Sequence, residues 1–340
     1  MFNPKRILIV RFGAIGDLVL TSHFVRVLRK RFPEAQIDFL VKSRFKTLVL
    51  YNPNLNQIFS LSETPKWQDF LCMVKTLNAQ QYDLVIDLQK NLKSYLISFF
   101  LRNANVRRYL KQAIPRFFLV NFKKNFYPQP VQPVPLRYLQ AVADLGVKDD
   151  GGSVELYVPP ISFEKVDRLL ATESCSLLIG VAPGGGRWTK CWPAEKFAQL
   201  CALLHQRYSA RILLFGSSKD KEAVQKIEYQ LSSAALNLCG KFSLLETAAA
   251  ISRCDLIVTN DSGLMHIAAA LKRKIVAIFG PTVKELGFFP FRAQAIVVEN
   301  NTLNCRPCSF HGTNKCPRGH FKCMEEISVD EVLTACQKLL

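Results

Sequence analysis

Short apolar runs recur along this chain with turn residues behind them, and each turn opens into a stretch whose apolar positions follow helical spacing. In the first half, residues 6–10, 37–41 and 83–88 read as strands, with helices predicted near 17–31 and 67–80. In the second half, 177–181, 211–215, 255–259 and 275–279 read as strands, with helices near 194–208, 219–232, 244–252 and 264–271. These strands are short, mostly apolar runs, as in parallel sheets covered on both faces. Their alternation with helices predicts an α/β fold of two doubly wound, Rossmann-like domains. A proline-spaced arm (Pro128, Pro130, Pro133, Pro135) and a second break at Pro159-Pro160 lie between them. The division is expected near Pro160, with residues 1–160 as one domain and 161–340 as the other.

In a parallel sheet, ligands bind at the carboxyl ends of the strands, so the turns that follow strands hold the candidate chemistry. Asp261, Ser262 and Gly263 stand between the strand at 255–259 and a helix start, whose free N–H groups form an anion site; Asp261 or Ser262 would serve equally as a plain N-cap. After the strand at 177–181 come Gly184, Gly185 and Gly186, then Lys190 and Trp192-Pro193. Exposed amides can wrap a phosphate there, with the lysine as a point charge. Two such loops in one domain suit a diphosphate. After 211–215, Asp220 or Glu222 could accept the hydroxyls of a ribose, although acidic residues also suit the solvated first turn of a helix. Phe242 could lie flat against a base or belong to the core. In the first domain, Gly13 and Gly16 let the backbone turn sharply and a ligand approach it, and Asp17 begins the next helix as a candidate general base or as a cap. The Gly-x-x-Gly spacing is not the dinucleotide fingerprint, and no Walker lysine follows.

The charge is uneven. The chain of 340 residues carries a net +18, and residues 1–150 hold 23 Lys and Arg against 10 Asp and Glu. The first half therefore faces something acidic. Residues 90–137 hold ten of those cations and no Asp or Glu, interleaved with Phe99-Phe100, Phe117-Phe118 and Phe126-Tyr127. Such a segment suits a phosphorylated glycolipid at an anionic membrane surface by peripheral contact; basic residues with aromatics also suit nucleic acid. No signal-peptide core is visible and no apolar run approaches a membrane span, so a cytoplasmic protein is expected. Eleven cysteines, an odd number, fit a reducing compartment. Cys305, Cys308, Cys316 and Cys323, with His311 and His320 nearby, form a Cys-rich loop over 305–323 that could hold structural zinc or pack simply as thiols. Asp149-Asp150 reads as solvated linker rather than a metal motif.

Gly13-x-x-Gly16-Asp17, Pro183-Gly184-Gly185 with Lys190-Cys-Trp-Pro193, Asn260-Asp-Ser-Gly-Leu-Met-His266 and Phe279-Gly-Pro-Thr282 together resemble the ADP-heptose:lipopolysaccharide heptosyltransferase family, glycosyltransferase family nine. The resemblance spans nearly the whole chain in the right order. It implies the GT-B architecture, in which two Rossmann-like domains face a central cleft, the first binding the acceptor and the second the sugar nucleotide. It further implies Asp17 as catalytic base, Lys190 on the donor diphosphate, and Gly185, Gly186, Asp261, Ser262, Gly263 and His266 in the donor-binding turns. Asp220 or Glu222 would hold the ribose, and Phe242 would lie beside the adenine. The implied reaction is inverting, metal-independent transfer of a heptose from ADP-heptose to the lipopolysaccharide inner core, either lipid A-Kdo or a heptosylated core. The implied protein is a monomer, peripheral at the inner face of the inner membrane, with no nucleic-acid partner. A terminal helix over 329–339 would return to the first domain. Another sugar nucleotide, a sugar-nucleotide epimerase, or a nucleotide-sugar binding protein without turnover are the alternative readings.

Overall fold

Ile7, Leu8, Ile9 and Val10 are wholly buried, as a strand covered by helices on both faces must be. They form the middle of the first of two parallel sheets in a computed structural model that describes residues 2–101, 104–171, 177–231 and 234–340. Arg102, Cys175 and Ser232, which enter the basic run, the cysteine count and the end of a predicted helix, lie outside the described residues. The chain divides into two compact units: Met1–Lys111 with Val134–Tyr157, and Gln112–Pro133 with Val158–Leu340.

The first unit runs β1 (Arg6–Val10), α1 (Ile15–Arg31), β2 (Gln36–Lys42), α2 (Thr47–Leu50), β3 (Ile58–Leu61), α3 (Trp67–Ala79), β4 (Leu84–Asp87), α4 (Leu92–Phe100) and β5 (Asn105–Arg108). Its strands pair in the order β3-β2-β1-β4-β5, all parallel. The order reverses between β1 and β4, where a doubly wound sheet opens a ligand crevice. The chain then passes through α5 (Ala113–Phe122), which belongs to the second unit, and re-enters the first as α6 (Val134–Leu139), packed on α1. Residues 112–133 thus depart from the expected single block 1–160. The physical reason lies in their contacts: Arg116 sits over the ring of Phe310 and Lys123 donates to the Pro307 carbonyl.

The second unit continues with α7 (Ile161–Leu170), β6 (Leu178–Ala182), α8 (Ala194–Tyr208), β7 (Arg211–Leu214), α9 (Lys221–Leu231), β8 (Ala235–Asn237), α10 (Leu244–Arg253), β9 (Leu256–Asn260), α11 (Gly263–Ala270), β10 (Lys274–Phe279), β11 (Ala295–Glu299), α12 (Lys322–Glu325) and α13 (Val329–Gln337). The strand order β11-β10-β9-β6-β7-β8 reverses between β6 and β9. Val181, Phe197, Ile212, Val258 and Ile278 fill its core, and α13 adds Val332, Leu333 and Cys336 to the same core against α8. The terminal helix therefore completes the second unit, which corrects the expectation that it returns to the first.

Asp149-Asp150 is not solvated linker either. Arg26 donates through Nε and Nη2 to the two Asp150 oxygens at 2.9 Å each, and Lys30 Nζ lies 2.6 Å from Oδ2. Asp149 Oδ1 sits 3.0 Å from Nε2 of the buried His23. The segment after α6 is thereby fastened to α1, and the Arg26 hydrogen bonds hold the Asp150 carboxyl far below the usual carboxylate range. Replacing Asp150→Asn is expected to cost about 1–3 kcal/mol of stability at pH 7. Because the folded-state pKa is depressed, this stabilisation is complete above the unfolded carboxyl value of about 4 and is lost as pH falls below it. Urea melts at pH 7 and pH 3 check this: the gap between wild type and variant should narrow at pH 3, and an equal gap at both would contradict it.

Candidate active site

Asn260 ends β9 and Pro183 follows β6, so the two flank the point where the second sheet reverses. The Asn260 side chain ties their loops together. Its Nδ2 donates to the Pro183 carbonyl at 2.6 Å and its Oδ1 accepts from the Trp192 N–H at 3.1 Å. The next residue, Asp261, is buried; its Oδ2 lies 2.8 Å from Lys190 Nζ and accepts from Thr282 Oγ1 at 2.8 Å. Loops from β6, β9 and β10 thus meet on one carboxylate. Ser262 caps α11, its Oγ accepting from the Met265 N–H at 3.4 Å and lying 3.2 Å from Thr259 Oγ1, and Gly263 is the first helical residue. An anion in this place would meet the α11 amides and Lys190. The Asp261 carboxylate, paired with Lys190 and Thr282, positions the lysine beside these amides.

The glycine loop is shaped by close approach. A Cβ on Gly184 would overlap the Asp220 carboxylate, and one on Gly185 would come within 2.9 Å of the Lys190 carbonyl. Gly186 turns with a φ of +72°. Asp220 Oδ2 accepts from the Ser217 N–H at 2.8 Å and from Ser217 Oγ at 2.7 Å, which fixes the turn into α9. Asp220 and Glu222 both line a groove of 570 Å³ with Gly186, Trp188 and Lys226. Asp220 stands at the glycine loop, whereas Glu222 is 88% exposed and only loosely paired with Lys226 at 3.7 Å. Phe242 is outside this groove, half-buried, with Lys165 Nζ 4.7 Å from its ring centroid. His266 is buried on α11, its ring 6.5 Å from that of Phe288.

In the first unit, a Cβ on Gly13 would overlap the ring of Phe45, and Gly16 lies in the first turn of α1. Asp17 Oδ2 accepts from the Ala14 N–H at 3.2 Å and lies 2.6 Å from Arg11 Nη2, while Arg11 Nη1 donates at 2.6 Å to the Leu88 carbonyl beyond β4. Arg11 therefore bridges the two strand ends at the first sheet's reversal and holds Asp17. Burial opposes the charge of Arg11, but Asp17 and the neighbouring Tyr138 outweigh it and raise its pKa. The Tyr138 phenol, wholly buried on α6, is pushed well above its ordinary value by desolvation, and Tyr109 packs edge-on at 4.9 Å. Arg11 was legible as a cation directly after an apolar strand. Tyr138, Thr282 and Asn260 take their places only through the fold.

The Cys-rich loop supports the donor-side turns. Arg306 is buried, donates to the carbonyls of Gly280 at 2.5 Å and Thr282 at 2.9 Å, and pairs with Glu299 at 2.6 Å. It thereby shapes the turn from which Thr282 reaches Asp261. Thr313 N–H donates to Thr189 Oγ1 at 2.7 Å, docking the loop beside Lys190. Cys305, Cys308, Cys316 and Cys323 are free thiols, with Cys305 Sγ 3.9 Å from His320 Nε2. Burial, then neighbouring thiols, push Cys308 up to about 11 and Cys323 up to about 12. Among the described residues, the one set of three or more His, Cys, Asp or Glu whose ligand atoms gather within 4.8 Å is His23, Asp149 and Asp150. There Arg26 and Lys30 already balance the charge.

Residues 71–317 match the family described as glycosyltransferase family 9 (heptosyltransferase), a span that includes Lys190 and Asp261 and begins beyond Asp17. The lipopolysaccharide heptosyltransferase 2 of Salmonella typhimurium is 31% identical over 82% of this chain and 83% of its own. Among solved structures, the family 9 glycosyl transferase of Veillonella parvula is similar with a TM-score of 0.84 at 25% identity, covering 98% of this chain and 97% of its own. The ADP-heptose lps heptosyltransferase II of E. coli gives 0.76 at 25% identity, covering 98% of each chain. With the two parallel sheets, these likenesses bear out the α/β fold of GT-B type.

The packing of Gly184 on Asp220 gives a test of the loop. Gly184→Ala is expected to displace the Asp220 carboxylate from Ser217 and to lower stability by about 1–3 kcal/mol. Urea melts would read it, and an unchanged midpoint would contradict the shape assigned to the loop.

Proposed function

The chain belongs to glycosyltransferase family 9 and is a glycosyltransferase, and we propose that it transfers a heptose from ADP-heptose to the inner core of lipopolysaccharide, with inversion at the anomeric carbon. One observation carries this reading. Lys190, locked at 2.8 Å on Asp261 beside the capped start of α11, sets a cation and free amides where a diphosphate would sit. The E. coli and Salmonella relatives, which are heptosyltransferases of lipopolysaccharide by name, support the sugar and the acceptor class.

On this reading an acceptor hydroxyl attacks the anomeric carbon. The new C–O bond forms as the bond to the diphosphate oxygen breaks, ADP leaves with that electron pair from the opposite face, and the hydroxyl proton passes to Asp17. Arg11 at 2.6 Å orients the Asp17 carboxylate. Carboxylates are weak bases in general, which suits a step in which the hydroxyl loses its proton only after the bond to ADP has largely broken. The charge that grows on ADP is met by Lys190 and the α11 amides, in metal-independent chemistry. Asp220, at the glycine loop, is the better placed of the two carboxylates for the ribose, with Glu222 at the outer wall of the same groove. Ser262, Gly263 and His266 are assigned to the diphosphate side through the resemblance. Phe242, under Lys165, is assigned to the adenine only through the resemblance.

The acceptor is an anionic glycolipid met at the inner face of the inner membrane, by one copy of the chain and without nucleic acid. No helix among the described residues is long and apolar enough to cross a membrane. Asp17→Asn keeps an acceptor for the Ala14 N–H and removes the base. It is expected to lower kcat by roughly 10²–10⁴ while ADP affinity stays within about twofold. Transfer assayed as acceptor-dependent ADP release, beside ADP titration, checks this. Activity near that of wild type would remove Asp17 from the reaction.

A further inference from the structure

Helix α5 lies in the second unit with almost nothing over its outer face. Of its residues only Leu119 is buried. Ile114 is 72% exposed, Phe117 55%, Phe122 58% and Phe126, just beyond the helix, 57%. Phe118 joins the rings into one cluster, its centroid 5.8 Å from Phe117, 5.7 Å from Phe122 and 5.2 Å from Phe126. Ala113, Ile114, Arg116, Phe117, Val120 and Phe310 line an apolar groove of 490 Å³ alongside. Isolated exposed phenylalanines are ordinary, but a contiguous aromatic patch on one short helix marks an interaction surface.

The rim of this patch has a single sign. Arg116 lies 4.3 Å over the Phe310 ring, Lys123 reaches the Pro307 carbonyl at 2.6 Å, and Lys124 is exposed beside them. Residues 90–137 contain no Asp or Glu to offset them. Two copies of the chain meeting through this face would bring two cationic rims together, which opposes self-association. A bilayer carrying anionic phospholipid complements both features at once. Its phosphates meet the cations while the rings enter the boundary between head groups and acyl chains. At ten residues α5 is far too short to span, so it would lie in the plane of the interface. We infer that α5, with Phe126, is the element by which this protein docks on an anionic phospholipid bilayer. The inference rests on the lipid-linked acceptor proposed above for its purpose, while its observations belong to the helix alone.

Co-sedimentation with vesicles of phosphatidylglycerol and phosphatidylethanolamine, against phosphatidylcholine alone, tests it. Wild type is expected to bind the anionic vesicles, less as salt rises. The triple variant Phe117→Ser, Phe122→Ser, Phe126→Ser should lose roughly tenfold or more of that partition, and Lys124→Gln roughly threefold. ADP titration of the triple variant confirms that the second unit is intact. Should that variant fail to fold, Phe122→Trp gives an independent reading, since brominated lipid should quench its emission. Equal partition of triple variant and wild type, absence of quenching, preference for RNA over vesicles, or a wild-type dimer that the triple variant dissolves would each overturn the inference. Vesicle binding with this pattern but no transfer to any acceptor would reject the proposed reaction and keep the surface. Transfer to a soluble core acceptor with no vesicle binding would do the reverse.

Discussion

A carboxylate buried at the end of a β-strand must be matched, because an unpaired charge there would cost several kcal/mol. In the second unit that carboxylate is Asp261, and the surrounding loops are arranged to match it. Lys190 comes from the loop after β6 and Thr282 from the turn after β10, each at 2.8 Å. Lys190 can reach only because Gly185 lets its backbone pass closely, and Asn260 holds the two loops together. Thr282 is aimed by Arg306, itself buried and paired with Glu299. The Cys-rich loop thus fixes the third corner of the site through Arg306 and Thr282. A lysine held this way is in position in advance for the diphosphate of the proposed donor, so that no reorganisation is spent in the proposed reaction.

The first unit uses the same physical device with the roles exchanged. Arg11 spans from the end of β1 to the Leu88 carbonyl beyond β4, and it is the carboxylate, Asp17, that the pair holds ready. Tyr138 and Tyr109 enclose the pair. In both units the ion pair sits where the strand order reverses, the place at which adjacent loops of a doubly wound sheet part to admit a ligand. One topological rule therefore accounts for both candidate sites.

The central strands were legible because their side chains are mostly apolar: β1, β4, β6, β9 and β10 fall within a residue of their expected ends. The edge strands β3, β5, β8 and β11 were not, since their side chains are mostly half-buried; β3, β5 and β8 are short and interrupted by polar residues, and the apolar run of β11 is only Ala295 to Val298. The site loops were legible as glycines and polar residues directly after strands, but their partners were not. That Asp261 pairs with Lys190, or that Asp150 is clamped by Arg26 and Lys30, depends on residues far apart in sequence. The terminal helix was placed by the resemblance alone, and Val332, Leu333 and Cys336 pack it on the second core.

The claim that the Lys190–Asp261 pair seats the leaving group of an ADP-heptose is tested most directly by the mass of the product. The protein would be offered ADP-heptose together with other ADP- and UDP-sugars and a lipopolysaccharide inner-core acceptor. The acceptor is expected to gain a single heptose, with ADP appearing in equal amount, only when acceptor is present. Gain of a hexose from another sugar nucleotide, or ADP release at the same rate without acceptor, would contradict it.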